Sequence, residues 1–196
     1  MTLAQYQQIS NYAVASATVV LGLAFVAYVA QWGFARNVAP DRALVGAGAG
    51  APAAAPEEDA DRSDVAGGIG LSLTGLAWFV LLIGVVARGL SAQRVPWGNM
   101  YEFGCAGILV VLSAYLVLVR VWGIDWVGPM ITGFGMVVLG LSALVWVPAG
   151  PLVPALHSYW LVIHVLCAMI AGSAFLVGAA ASVLVLVQFR AERLTP

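Results

Sequence analysis

Five long apolar runs separated by short polar stretches organise this chain. They fall at Tyr12–Phe34, Gly67–Ala87, Tyr101–Val119, Val127–Val147 and Tyr159–Phe189. A helix needs about 20 apolar residues to cross a hydrocarbon layer of roughly 30 Å. Within lipid a helix satisfies its own backbone hydrogen bonds, whereas a lone strand does not, so the runs predict five membrane-spanning helices. The expected fold class is therefore all-α, a polytopic membrane protein with five transmembrane helices.

Composition removes the main alternative. Of 196 residues, 62% are hydrophobic and 9% are charged, against about 25% charged in an ordinary soluble domain. Too few polar side chains exist to coat a water-facing surface, which excludes a soluble enzyme. The eight basic residues are all arginine, the acids number nine, and the net charge is -1. Nothing in that balance makes a polybasic face for nucleic acid. Cys105 and Cys167 both sit in apolar runs without a CxxC spacing, the pattern of small packing residues.

The arginines orient the chain. No basic residue precedes the first run, which is longer than a signal-peptide core, so it is expected to be a retained helix. With the N-terminus outside, Arg36, Arg42, Arg62, Arg120, Arg190 and Arg193 lie inside and Arg88 and Arg94 outside. Six against two predicts N-out/C-in, with one discordant outer loop between the second and third helices.

The connections divide the chain into an N-terminal helix (1–36), a linker (37–66) and a four-helix membrane domain (67–196). The linker includes GAGAGAPAAAPEEDADRSD, too polar and small to offset chain entropy, and is expected to be a disordered cytoplasmic loop. Trp122 and Trp126 are placed as interfacial anchors. Pro148, Pro151 and Pro154 block helix continuation before the fifth run. In that run Ala174, Gly178 and Ser182 recur every four residues, a stripe that lets another helix approach, from this chain or a partner.

Two segments carry candidate chemistry. The first, Arg94-Val-Pro-Trp-Gly-Asn-Met-Tyr-Glu-Phe103, precedes the third helix on the outer side. Asn99 suits an N-cap, and Glu102 three residues on makes a variant capping box. Trp97, Tyr101 and Phe103 suit a membrane interface, or a shelf on which a flat amphipathic ligand stacks. The second, Leu156-His-Ser-Tyr-Trp-Leu-Val-Ile-His-Val165, holds both histidines, with Ser158 placed to cap the fifth helix. His164 lies about one and a half turns into that helix, where an ionisable group is costly and often functional. A neutral imidazole there suits either an interfacial hydrogen bond or axial ligation of haem iron. His157 and His164 are seven apart, about 10.5 Å along a helix, so the two cannot clamp one iron from opposite faces. Glu102 and Asp125 are expected on opposite sides of the membrane, which disfavours paired-carboxylate chemistry.

PWGNMYEF (Pro96–Phe103) before one membrane helix and SYWLVIHV (Ser158–Val165) opening another resemble the haem-handling protein of System II cytochrome c biogenesis. This is the CcsA/ResC type, often labelled CcsB in actinobacteria, and the Ala-, Gly- and Arg-rich composition looks like an actinobacterial source. The resemblance covers roughly residues 69–190. It implies a bacterial plasma-membrane protein that carries haem b to the outer face. There, with a ResB-type partner, it presents the haem to apocytochrome c for covalent attachment. The resemblance places the axial ligand at His164, and with it Trp97, Tyr101 and Trp160 are the expected haem-contacting residues. His157 matches no family histidine. The family's tryptophan-rich WWD segment, later helices and second outer histidine have no counterpart. The chain is therefore expected to be an N-terminal portion, not active alone as a cytochrome c synthase and not retaining haem unaided. The alternatives are a cofactor-free membrane assembly or anchor protein, a transporter subunit, and a cysteine-based oxidoreductase.

Overall fold

The computed structural model describes residues 1–46, 55–151 and 158–194. Among these the elements are α1 (Leu3–Gly46), α2 (Ala55–Ala92), α3 (Met100–Trp122), a 3-10 turn (Asp125–Val127), α4 (Gly128–Leu144) and α5 (Tyr159–Leu194). All five helices contain a stretch long and apolar enough to cross a membrane, and the protein is a multi-pass membrane protein.

Two expected boundaries move. Residues 37–46 and 55–66, expected to be unstructured linker, continue α1 and begin α2. Both stretches are rich in good helix formers such as Ala, Leu, Arg and Glu. Pro56 falls in the first turn of α2, where its missing N–H costs nothing. Residues 47–54 lie outside the described residues. The fourth helix stops at Leu144, three residues before the expected Val147. Pro148 disfavours helical backbone at the residue before it, and the carbonyls of Val147 and Gly150 accept from arginine side chains instead.

α1 and α2 form a long antiparallel pair, onto which α4 packs through α1, and α3 packs against α4, α5 and α2. The seam of α1 consists of Val14, Ala17, Leu21, Ala24 and Tyr28, spaced three and four apart. α3 repeats the pattern with Tyr101, Cys105, Ile108, Leu112 and Tyr115. That spacing keeps one stripe facing its neighbours in the small-angle packing of helical bundles. The opposite faces are equally apolar, with Val19, Leu23 and Val26 of α1 more than half exposed. The external solvent for them is lipid. Three buried hydroxyls are satisfied within their own helices: Thr74 donates to Gly70 O, Thr132 to Gly128 O and Ser173 to Met169 O, each at 2.7 Å.

Polar clusters mark the two ends of the bundle. At the end expected to face inward, the Tyr115 hydroxyl donates to that of Tyr28 at 2.9 Å and Gln31 Nε2 donates to Asp125 Oδ2 at 3.4 Å. Trp32 Nε1 donates to Trp126 O at 3.1 Å. Tyr28 is fully buried because Gly128 lets the backbone of α4 approach its ring; a Cβ at 128 would stand 2.6 Å from ring atoms. Gly128→Ala is expected to destabilise the bundle by about 1–3 kcal/mol through overpacking. Thermal unfolding in detergent reads this, and an unchanged midpoint would show that the ring moves aside freely.

α5 is the least enclosed helix: 11% of its apolar window is buried, against 44% for α4. Met169, Ser173, Val177 and Ala180 form its packed face. The small-residue stripe Ala174, Gly178 and Ser182 is exposed and faces away from the rest of the described chain.

Candidate functional site

The opposite end of the bundle, expected to face outward, gathers the two candidate segments. α2 ends at a left-handed Gln93 (φ 53°), after which Arg94 N donates back to Gly89 O at 3.2 Å. This closing turn aims the next residues across the top of the bundle. α3 then starts on a working cap: Glu102 N donates to Asn99 Oδ1 at 2.8 Å. The reciprocal half of a capping box is shifted by one residue, since the Glu102 carboxylate accepts from Gly98 N at 3.0 Å rather than from the cap residue itself.

That carboxylate has a larger role. Glu102 is 1% exposed and meets two arginines. Arg88 Nε donates to Oε1 at 3.0 Å, and Arg94 Nη1 donates to Oε2 at 2.8 Å. The arginines reach further: Arg88 Nη2 donates to Val147 O at 2.6 Å and Arg94 Nε to Gly150 O at 3.0 Å. The Arg88 guanidinium also stands 5.1 Å over the Tyr101 ring, within cation–π range. One buried acid thus ties together the end of α2, the start of α3 and the strand of chain leaving α4. Arg88 and Arg94 are both engaged by Glu102 and by backbone carbonyls instead of standing free.

Arg88 is the member that reading the sequence did not single out. A charged residue immediately after the apolar run that ends at Ala87, on the same side as the acid Glu102, was the available signal. Its depth, 2% exposed, is decided only by packing.

The expected haem-contacting residues separate into two groups. Tyr101 is buried, 3% exposed, beneath Arg88, and so belongs to the bundle's core rather than to an open shelf. Trp97 is half-buried in the α2–α3 segment. Trp160 and His164 lie exposed on the first turns of α5, with Trp160 in an edge contact with Tyr159 at 6.5 Å. His157 lies outside the described residues. The carbonyl of Ser158 accepts from Leu161 N at 3.2 Å as α5 begins.

Beside His164 runs an apolar groove of about 530 Å³ between α3, α4 and α5, lined by Phe103, Gly107, Phe134, Val138, Met169 and Gly172 among others. His164 stands one turn before Ala168 and two before Gly172, both of which line the groove, so it lies N-terminal to that stripe on α5. Its imidazole meets no hydrogen-bond partner among the described residues, and no group of three or more His, Cys, Asp or Glu among them forms a metal site. A single imidazole without a partner among the described residues could supply one bond to a haem iron; it does not suit a metal ion needing several protein ligands. Cys105 is buried and Cys167 exposed, and the two are unpaired.

A cytochrome c biogenesis protein CcsA from Synechococcus sp. (strain WH7803) is 34% identical over 128 residues, 63% of this chain and 40% of that protein. The protein of the same name from Synechococcus sp. (strain CC9902) is 33% identical over 137 residues, 67% of this chain and 45% of that protein. The CcsA of Picosynechococcus sp. (strain ATCC 27264 / PCC 7002 / PR-6) is 32% identical over 133 residues, 65% and 38%. The chain spans less than half the length of these curated relatives. No family model and no solved structure matches it.

Proposed function

We propose that this chain is a membrane component of cytochrome c biogenesis that handles haem at the outer membrane face for covalent attachment to apocytochrome c. The observation that carries the reading is the likeness, across about two thirds of the chain, to proteins named for that process. His164 gives it chemical content. An imidazole facing out of the bundle without a protein partner is costly in lipid and is relieved by a bond to iron. Haem, when bound, supplies the iron and the vinyl groups that take up the apocytochrome thiols; the protein's own contribution is placement.

In this arrangement His164 holds the iron through one imidazole nitrogen. Trp160, one turn earlier on α5, offers a flat face beside it, and the half-buried Trp97 borders the same membrane end. Tyr101 acts from within the core by holding Arg88 in place. The Arg88–Glu102–Arg94 cluster grips the carbonyls of Val147 and Gly150, the chain segment that leads toward α5. A ResB-type partner, the bacterial plasma membrane as location and an N-out/C-in orientation complete the proposal. The orientation rests on six inner arginines against two outer ones, the latter both paired with Glu102.

The reading is tested by deleting the gene and staining membrane proteins for covalently bound haem. The expected result is loss of haem-staining c-type cytochromes while haem b proteins persist, restored by the full-length gene. Undiminished c-type staining would remove the proposal and leave a cofactor-free membrane anchor as the better account.

A further inference from the structure

We infer that the outer end of the bundle encloses one structural water molecule, held between the Ser10 hydroxyl of α1 and the Arg88 guanidinium of α2. The inference does not depend on the proposed function. Ser10 Oγ and Arg88 Nη1 are both buried, and neither has a partner within 3.5 Å among the described residues, the Tyr101 hydroxyl being the polar group next nearest to Ser10. Ser10 is fully buried and Arg88 is 2% exposed. Both residues line one small cavity of about 10 Å³, together with Val14, Gly84, Tyr101 and Cys105.

Size and chemistry together select the occupant. A water needs about 10–15 Å³ of such space and two or more polar partners. The cavity offers that volume and two buried polar atoms without a partner within 3.5 Å, one a pure donor and the other able to donate or accept, with the Tyr101 hydroxyl also in its lining. The water accepts from Arg88 Nη1 and exchanges a hydrogen bond with Ser10 Oγ. An anion is a poorer occupant although the cluster carries two arginines and one glutamate. Chloride and the heavier halides are larger than water, and the Glu102 carboxylate, which lines the same cavity, repels negative charge. An empty cavity would leave a guanidinium nitrogen and a hydroxyl unpaired in the lowest-dielectric part of the protein, which folded chains avoid.

The consequence is structural. Arg88 bonds Glu102 through Nε and Val147 O through Nη2. With the water on Nη1, every guanidinium nitrogen is engaged and α1 joins the cluster through Ser10. The same water explains why a serine stands on the otherwise apolar seam that continues through Val14 and Ala17.

Millisecond X-ray hydroxyl-radical footprinting of the full-length protein in lipid nanodiscs tests this, because radiolysis of an ordered water oxidises the side chains around it. Cys105, buried and lining the cavity, is expected to be oxidised while remaining closed to maleimide. Ser10→Val fills the space and is expected to lower that oxidation at least about threefold by displacing the water. An unmodified Cys105 in the parent protein, or equal oxidation in Ser10→Val, overturns the inference. If Ser10→Val does not fold, a high-resolution map of the parent protein decides. A spherical peak within hydrogen-bond distance of both Ser10 Oγ and Arg88 Nη1 upholds it, and a cavity without density overturns it.

Discussion

Glu102→Ala is expected to destabilise the protein by about 3–5 kcal/mol, enough to abolish a folded species in many detergents, because it strands buried positive charge. Among the described residues the carboxylate is the only acid paired with Arg88 and Arg94, and its side chain is fully enclosed. Arg88 cannot escape to water, being 2% exposed, whereas Arg94 at 16% retains a route to the interface. The asymmetry predicts a rescue. Arg88→Met combined with Glu102→Leu removes the trapped pair together, and is expected to recover much of the loss, since a buried ion pair is often replaceable by apolar groups of similar volume. Size-exclusion profiles and thermal midpoints in matched detergent read both. Equal stability of Glu102→Ala and the parent would mean that the cluster is solvated. A double variant no better than Glu102→Ala would mean that the hydrogen bonds to Val147 O and Gly98 N carry the stability instead of the charge pairing.

The second large effect concerns the imidazole. In the full-length protein purified with its haem, His164→Gly is expected to lower haem content at least about tenfold. Outer partners of metal ligands already cost 10–100-fold when removed, and a ligand itself counts for more. Added imidazole is expected to restore the absorption bands partly, because a small free ligand can enter the space the side chain leaves. Trp160→Ala, removing only a neighbouring face, is expected to weaken retention less and to gain nothing from imidazole. Unaltered haem content and spectrum in His164→Gly would show that iron is held without α5. Loss without chemical rescue, accompanied by a lowered thermal midpoint, would identify His164 as a residue that supports folding rather than one that ligates.

The positions of the five spans were legible from the apolar runs, and so was the N-cap at Asn99, because both rest on local chemistry: hydrocarbon thickness and a side-chain oxygen within reach of Glu102 N. The helical extensions into 37–46 and 55–66 were not, since low hydrophobicity argues for disorder while the same alanines and glutamates also favour helix. Which faces of the helices meet was hidden for a different reason. Leu21 and Leu23 are equally apolar, yet one is fully buried and the other more than half exposed to the membrane. Hydropathy cannot separate them when the surroundings are lipid. Tyr101 illustrates the cost: its aromatic ring suited an exposed shelf as well as a core, and packing put it beneath Arg88.

What the amino-acid sequence determined alone was the class of solvent, the number of crossings and the candidacy of His164. These follow from composition, from run length and from the rarity of ionisable groups within the spans. Only the tertiary structure decided that Arg88, Arg94 and Glu102 form one buried cluster, that its carbonyl contacts bind two connections together, and that His164 is left facing outward beside an apolar groove. The physical reason is that charge pairing and the lack of a partner are properties of distance between helices. Distances between helices are set by the interlocking of side chains far apart in the chain.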